Sequence, residues 1–466
     1  MPSPTAPIRQ RPAVSAAQPP TSWRWPLALV LCAALLRVLL LADAAPLRYP
    51  DTESYVQAAR DLVSGDYSLS QGRRTPGYPL VIALAGESQR SVVLVQELAG
   101  VLTSLLLYAI ALAATRRPGL AFGVGLMHCL NLQQLYLEGI VLSESLSAFS
   151  MAATLAALVA AAARLATGRP AVPLLLLTGA MGAYALMVRP QFIYLIGLLP
   201  LLAGFAASGW RPTRAAVAAA AWVVAPMVVV VLAWSAVVQA KVGPFTVSTQ
   251  SGFGLVNHVH DELEYAPDEF RVVREILIRT RDARIKAVGN GFNTVWYGWP
   301  EVQRATGWTL PQASQQFKRM SLAIIQRRPL QYVNTVSQAW LAYWTAPNLW
   351  APDLISPPAL RQALEGLWWL ENKLLRLANL AFVVLVAAVL VWQPLRRRLR
   401  WDLVLTALAT TVLLSSLLQA LADNGSNSRY AMPTQPLVLV LLAVAAARWQ
   451  KATPAPATWR NTAAAA

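Results

Sequence analysis

Cysteine, histidine and charge are all scarce in this chain of 466 residues: two cysteines, three histidines, and charged side chains at 13% of positions. Cys32 and Cys129 each fall inside an apolar segment, which excludes a disulfide framework and a zinc knuckle. So little charge beside 56% apolar residues and a mean hydropathy of +0.45 excludes an ordinary soluble domain. No GxxxxGK(S/T), GxGxxG, GxSxG or HExxH pattern occurs, so the usual phosphate-cradling loop, dinucleotide fold, serine-hydrolase elbow and zinc-protease helix have no support. No repeat of 20 to 50 residues is visible. What the chain has in quantity is long apolar runs, tryptophan, and arginine.

A bilayer core about 30 Å thick takes about 20 helical residues. Runs of that kind lie near 26–45, 91–115, 119–137, 140–163, 171–188, 190–208, 215–239, 374–393, 402–422 and 431–448, predicting an all-α polytopic membrane protein of about ten transmembrane helices. Basic residues outnumber acids by 39 to 22, for a net charge of +17. They collect at alternate connections: Arg116 and Arg117, Arg164 and Arg169, Arg211 and Arg214, and Arg396, Arg397, Arg398 and Arg400, with Asp402 the single acid on that side. This is the positive-inside pattern. The basic balance therefore records orientation and contact with anionic lipid, and nucleic acid drops out as a partner. Both termini are expected in the cytoplasm, with residues 1–22 a disordered arm and 449–466 a disordered, low-complexity tail. The weakest run is 119–137, where His128, Asn131, Gln133 and Gln134 interrupt the apolar sequence.

Two segments fall on the opposite, outer side: a loop at 46–90 within a catalytic membrane module at 23–240, and a region at 241–373 preceding the C-terminal helices at 374–448. The second is expected to form a small α/β domain, opening with strand and turn at Val242-Gly243-Pro244-Phe245-Thr246-Val247-Ser248-Thr249 and continuing as amphipathic helices. Asp51, Glu53, Arg73, Arg74, Glu138, Glu144, Arg189, His258, His260, Asp423 and Arg429 all reach the outer face from distant parts of the chain. Carboxylates that can take a proton, beside cations that can hold a departing phosphate, suit group transfer from a phosphorylated lipid.

The first outer loop carries the most specific pattern. Pro50-Asp51-Thr52-Glu53-Ser54-Tyr55 leads into a helix with Tyr55, Ala58, Ala59, Leu62 and Val63 on one face, ended by Gly65; Arg73-Arg74-Thr75-Pro76-Gly77-Tyr78-Pro79 then opens another. Asp51 stands where an N-cap belongs and Glu53 in the first turn, where the helix dipole favours acids.

These residues resemble the first extracytoplasmic loop of the C-type (GT-C fold) glycosyltransferases, the group of the protein O-mannosyltransferases and the lipid A aminoarabinose transferase. The likeness continues through Leu142-Ser143-Glu144, Val188-Arg189-Pro190, Gly243-Pro244-Phe245, Arg328-Pro329 before Trp340 and Trp344, and Ser428-Arg429-Tyr430-Ala431-Met432-Pro433. It spans about 27 to 448. One departure stands out: many relatives have paired acids at the loop start, whereas Thr52 follows Asp51 here. The resemblance implies inverting transfer of a sugar from a polyprenyl-phosphate donor to a lipid, glycan or protein acceptor, with Asp51 as general base. Arg73, Arg74, Arg189 and Arg429 would then hold the donor phosphate, and Glu53, Glu144, Tyr55 and Tyr430 would support the acceptor or a metal.

Each residue also has a plainer role. Arg73 and Arg74 could touch lipid headgroups, Arg189 and Arg429 could snorkel from helix ends, and Glu144 could cap its helix. His258 and His260 are weak candidates for a divalent cation; a surface strand is the expectation for them. The sequence specifies no cofactor, and a divalent cation stays open. Arg37, inside the first span, needs a partner because an unpaired cation there costs at least ~2.5 kcal/mol. Glu97 lies at the same depth, about 9 Å below the outer surface at 1.5 Å per residue, so a structural Arg37–Glu97 pair is expected and Glu138 is expected to be solvated. Two rival readings remain. A lipid or sugar transporter or flippase would place its charged groups near the midplane between repeats. An O-antigen ligase or polymerase-like enzyme would take a pyrophosphate-linked oligosaccharide. Arginine exceeds lysine by 34 to 5, a usage that fits a GC-rich bacterium and hence a bacterial inner membrane.

Overall fold

The computed structural model describes residues 23–41, 46–351, 358–423 and 428–452; the expected arm at 1–22 and the end of the tail lie outside them. Nineteen α-helices follow one another among these residues. The first outer loop is framed by α1 (Arg24–Leu41) and α4 (Gln89–Thr115) and contains α2 (Thr52–Ser64) and α3 (Gly77–Leu84). The bundle continues with α5 (Pro118–Cys129), α6 (Leu132–Glu138), α7 (Glu144–Ala166), α8 (Val172–Val188), α9 (Leu195–Ser208) and α10 (Arg214–Val242). Next come α11 (Ser251–His258), α12 (Arg271–Val288), α13 (Thr294–Thr306), α14 (Leu310–Arg327) and α15 (Pro329–Thr345). The chain then returns through α16 (Pro358–Val391), α17 (Gln393–Arg398), α18 (Leu403–Ala422) and α19 (Gln435–Ala452).

Among the described residues, six helical segments are long and apolar enough to cross a membrane: Gln89–Thr115, Glu144–Ala166, Pro190–Ser208, Arg214–Val242, Pro358–Val391 and Leu403–Ala422. Shorter apolar helices add Pro118–Cys129, Val172–Val188 and Gln435–Gln450. Their inner faces, with that of α1, share one core in which Leu29, Leu107, Leu155, Leu199, Val223, Phe382, Leu408 and Leu441 are buried. The outer faces are apolar too: Val217, Trp222, Val229 and Leu232 of α10 and Leu374, Leu377, Leu380 and Val384 of α16 are exposed. A helix apolar all round belongs inside a protein or in lipid, and here the unburied side can only face acyl chains.

The run at 119–137 is not one continuous helix. It breaks after Cys129, and Asn131 restarts it as α6 by accepting the Gln134 N–H on its side chain. The polar residues that dilute the hydropathy are thus the ones that make the break. The α/β expectation for the outer region is overturned, since among the described residues no strand forms and the one β-bridge joins Leu47 to Ile140. Residues 243–250 are irregular because their hydrogen bonds go to the first loop: Thr249 N–H to Gly72 O, Thr249 Oγ1 to Gln71 O, and Ser248 Oγ to Arg73 O. A separate apolar core holds α11–α14 together around Phe253, Leu277, Val295 and Phe317, with Phe253 stacked on Trp296. Tyr343 and Trp344 of α15 instead join the core of the membrane helices, where Trp344 stacks on Phe382.

A third core lies under the first loop and unites Tyr55, Tyr78, Ile82, Leu137, Ile140, Leu142 and Val188. Two devices set it. Gly77 packs so closely on the backbone of Met187 and Val188 that a Cβ there would overlap it. Tyr78 donates to Gln96 Oε1 at 2.7 Å, while Gln96 Nε2 donates to the carbonyls of Glu138 and Ile140. The Arg-Thr-Pro-Gly-Tyr-Pro run therefore fixes the loop to the ends of α4, α6 and α8.

The predicted Arg37–Glu97 pair is replaced by another. Arg37 Nη2 donates to Glu138 Oε1 at 2.7 Å, and Gln134 Nε2 donates to the same oxygen at 2.6 Å. Glu138, expected in solvent, is 0% exposed. Depth along α1 was the right guide, but the α5–α6 break carries Glu138 inward to that depth, and Gly100 leaves room for the pair where a Cβ would collide with both side chains.

Candidate active site

Five side chains from four separate parts of the chain form an alternating row of charge. Arg74 Nη2 donates to Asp51 Oδ1 at 2.7 Å, and Arg429 Nη2 donates to Asp51 Oδ2 at 3.1 Å. Arg429 Nε lies 3.6 Å from Glu144 Oε1, which also accepts from Arg189 Nη2 at 3.1 Å. The order is Arg74, Asp51, Arg429, Glu144, Arg189. Asp51 immediately precedes α2, and its carboxylate makes no cap hydrogen bond; it is turned to the two arginines. Glu144 is the first residue of α7, Arg189 follows α8 directly, and Arg429 sits in a single 3-10 turn before α19.

Aromatic rings hold the guanidiniums in place. Arg74 lies over Tyr55 (4.2 Å to the centroid), Arg429 over Tyr49 (4.4 Å), Arg189 beside Tyr430 (5.5 Å) and Arg73 over Trp296 (4.3 Å). Arg74 Nε also donates to Ser54 Oγ at 2.9 Å, and the Tyr55 hydroxyl shares a hydrogen bond of 3.0 Å with Ser143. Tyr430 donates to Asp423 Oδ2 at 3.0 Å. Thr52, where paired acids would put a second carboxylate, is buried: it donates to Val141 O and accepts the Tyr49 N–H. It thereby seats the loop start on the α6–α7 connection.

Four arginines, Arg73, Arg74, Arg189 and Arg429, face three carboxylates, Asp51, Glu144 and, through Tyr430, Asp423, so guanidinium outnumbers carboxylate by one. Burial pushes the Asp51 carboxyl upward, but the charges of Arg74, Arg429 and Arg73 outweigh it and hold Asp51 down at about 2. Burial, then the neighbouring Arg74, lowers Arg73 to about 10. Burial opposes the charge on Arg429 as well, yet Glu144 and Asp51 raise its pKa overall. The buried Nε of Arg73 and Nη1 of Arg189 have no hydrogen-bond partner, nor does Oε2 of Glu144. Buried polar atoms of this kind are costly to leave unsatisfied, and two of the three are guanidinium donors. The arrangement is suited to an incoming anion, for which arginine offers a planar fork.

Asp51, Arg73, Arg74, Glu144, Arg189, Arg429, Tyr55 and Tyr430 are thus brought together. Glu53 is not: it is 64% exposed and pairs with Arg48 and Arg60 on the far side of α2. His258 and His260 are not in a surface strand; they are buried at the end of α11 and the start of the following 3-10 helix. His260 Nδ1 meets Asn257 O at 2.6 Å, and burial lowers His258 to about 4, leaving it neutral against the Tyr332 ring. Among the described residues no group of three or more His, Cys, Asp or Glu side chains is placed to hold a metal ion. Tyr49, Ser54 and Ser143 escaped the sequence reading as site residues; an aromatic two residues before Asp51 was the available signal for Tyr49.

No family model matches the chain, and no curated protein sequence matches it. Among solved structures it is similar to the archaeal oligosaccharyltransferase AglB from Archaeoglobus fulgidus, in complex with an inhibitory peptide and a dolichol-phosphate, at 14% identity and a TM-score of 0.45 over 90% of this chain. This chain spans about half the length of that protein, 50%. It is also similar to ArnT from Cupriavidus metallidurans. With undecaprenyl phosphate bound, ArnT gives 14% identity and a TM-score of 0.37 over 90% of this chain and 78% of the other. In the apo state the values are 15% and 0.36 over 89% and 77%.

Proposed function

We propose that this protein is an integral membrane glycosyltransferase that moves a sugar from a polyprenyl-phosphate donor to a lipid, glycan or protein acceptor at the extracytoplasmic face of a bacterial inner membrane. The observation that carries this reading is Asp51 held between Arg74 and Arg429 in a buried cluster with more guanidinium than carboxylate. The cluster lies at the helix ends opposite the basic connections, which the positive-inside rule assigns to the outside. The multiply bonded, aromatic-backed arginines are better suited to one fixed anion than to a passing headgroup.

In the proposed step an acceptor hydroxyl attacks the anomeric carbon from the face opposite the lipid. The new C–O bond forms as the bond from that carbon to the phosphate oxygen breaks, the electron pair leaves on the lipid phosphate, and the hydroxyl proton passes to Asp51 before release to water. Configuration inverts. The phosphate gains negative charge as it departs, so Arg73, Arg189 and their neighbours bind it more tightly at the transition state than before, which is what lowers the barrier. An arriving phosphate also competes for Arg74 and Arg429. As they turn toward it, Asp51 loses the cations that depress its pKa and becomes a stronger base.

The test is incubation of purified protein with labelled polyprenyl-phosphate sugars and a membrane extract, followed by mass spectrometry. The expected result is a glycosylated acceptor and sugar-free polyprenyl phosphate in equal amounts. Lipid translocation without a covalent product would contradict the reading and favour a flippase; turnover of pyrophosphate-linked oligosaccharide alone would favour a ligase.

A further inference from the structure

Ser428, the neighbour of Arg429, lines a cavity where α5, α6, α16 and α19 meet near the end of α15. Its polar lining is unlike that of the charge cluster. Carboxamides dominate it, from Gln133, Asn348, Asn372, Asn379 and Gln435, and no carboxylate lines it. The one arginine at the cleft, Arg376, is exposed. Part of this capacity is spent internally: Gln435 Nε2 donates to Asn379 Oδ1 at 3.0 Å, Asn379 Nδ2 to Trp344 O at 2.8 Å, and the Asn348 N–H to Asn372 Oδ1 at 2.7 Å. Part is not. Gln133 reaches only Ser428 Oγ, at a long 3.5 Å. His128, 2% exposed, lines the cavity with neither ring nitrogen hydrogen-bonded.

An apolar occupant such as a prenyl chain would leave these donors and acceptors buried and unsatisfied, which costs more than the contact returns. A phosphate would find one rim cation; an ammonium would find no carboxylate on the lining, since Glu371 behind it already accepts from Asn348 Nδ2 at 3.2 Å and from the Leu132 N–H at 3.0 Å. A hydroxyl both donates and accepts, as a carboxamide does, so adjacent sugar hydroxyls match a row of amides. We infer that this cleft is a subsite for a neutral saccharide, built from Gln133, Asn379, Gln435 and His128 beside the Ser428–Arg429 turn. The inference rests on the glycosyltransferase reading and adds the class of sugar. The saccharide is the sugar of the donor or a sugar of the acceptor, and these two sources share the same chemistry.

The full chain in lipid nanodiscs separates them by equilibrium binding with four probes: bare undecaprenyl phosphate, undecaprenyl phosphate carrying a neutral hexose, the same carrier with an amino sugar, and free maltose added to the bare-carrier complex. If the donor's sugar fills the cleft, the hexose donor binds at least tenfold tighter than the bare carrier; if the acceptor's does, maltose binds instead. Gln133→Leu abolishes whichever difference is found without changing bare-carrier affinity. Gln133→Glu, nearly isosteric, lowers neutral-sugar affinity about tenfold and shifts preference toward the amino sugar. Should neither the hexose nor maltose add affinity, or should both variants weaken bare-carrier binding to the same extent, the cleft holds only water and the inference is overturned. Failure of bare undecaprenyl phosphate to bind at all contradicts the polyprenyl-phosphate reading itself, and maltose titrated into the carrier-free protein then reports on the cleft alone.

Discussion

Asp51 is ionised throughout the neutral range, because Arg74, Arg429 and Arg73 hold it at about 2 while burial works the other way. The sign of the linkage follows. A carboxyl whose folded pKa lies below its unfolded value stabilises the fold above about pH 4, and that stabilisation is lost as the pH falls toward 2. The shift corresponds to an upper limit of roughly 2 kcal/mol, since Asp51 is 29% exposed and partly screened. For the free enzyme, kcat/KM is expected to show no acid limb from Asp51 between pH 4 and 8. Arg429→Lys, which loses the fork and one hydrogen bond, is expected to bring such a limb upward and to lower kcat/KM by 10- to 100-fold, as a pH–rate series would show; an unmoved profile would separate Arg429 from Asp51. Arg189 and Arg429 were legible in the sequence because each stands at the outer end of a hydrophobic run, and Asp51, Arg73 and Arg74 because the first outer loop that holds them carries the glycosyltransferase-like pattern. Glu138 was not, because hydropathy cannot tell a solvated acid at a helix end from one folded inward to meet Arg37.

At the scale of elements, the first loop is placed by contacts rather than by its own helices. Gly77 against Met187 and Val188, and Tyr78 on Gln96, set the distance between the pair Asp51–Arg74 and the pair Glu144–Arg189. Gly77→Ala would press a methyl group into the α8 backbone and part the two halves of the cluster. Since misplacement of about 1 Å can cost 100-fold in rate, turnover should fall at least tenfold with the helical content of the purified protein intact. Undiminished turnover would mean that this junction does not position the site. The element types were readable where a run had one clear period, as in α4, α7 and α10. They were not where hydrogen bonding crosses between distant segments. Residues 242–249 have the β-branched composition of a strand, yet their partners are loop carbonyls at Gln71, Gly72 and Arg73. On α2, Tyr55, Ala58 and Ala59 are buried as the pattern predicts, whereas Val63 is exposed beyond the edge of the packed face.

For the whole molecule, two asymmetries fit together. The basic connections define one side, and the ends of α8, α7 and α19 with the start of α2 assemble the charged cluster on the other. The surface between them is apolar, as a bilayer requires. The most direct test of the central claim is a single-turnover experiment with saturating polyprenyl-phosphate sugar, comparing wild type with Asp51→Asn, a change that keeps size and removes the base. The account predicts that donor binding survives within a few-fold while sugar transfer falls by at least 100-fold, the scale of a lost general base. Transfer at the wild-type rate in Asp51→Asn, with donor still bound, would contradict it.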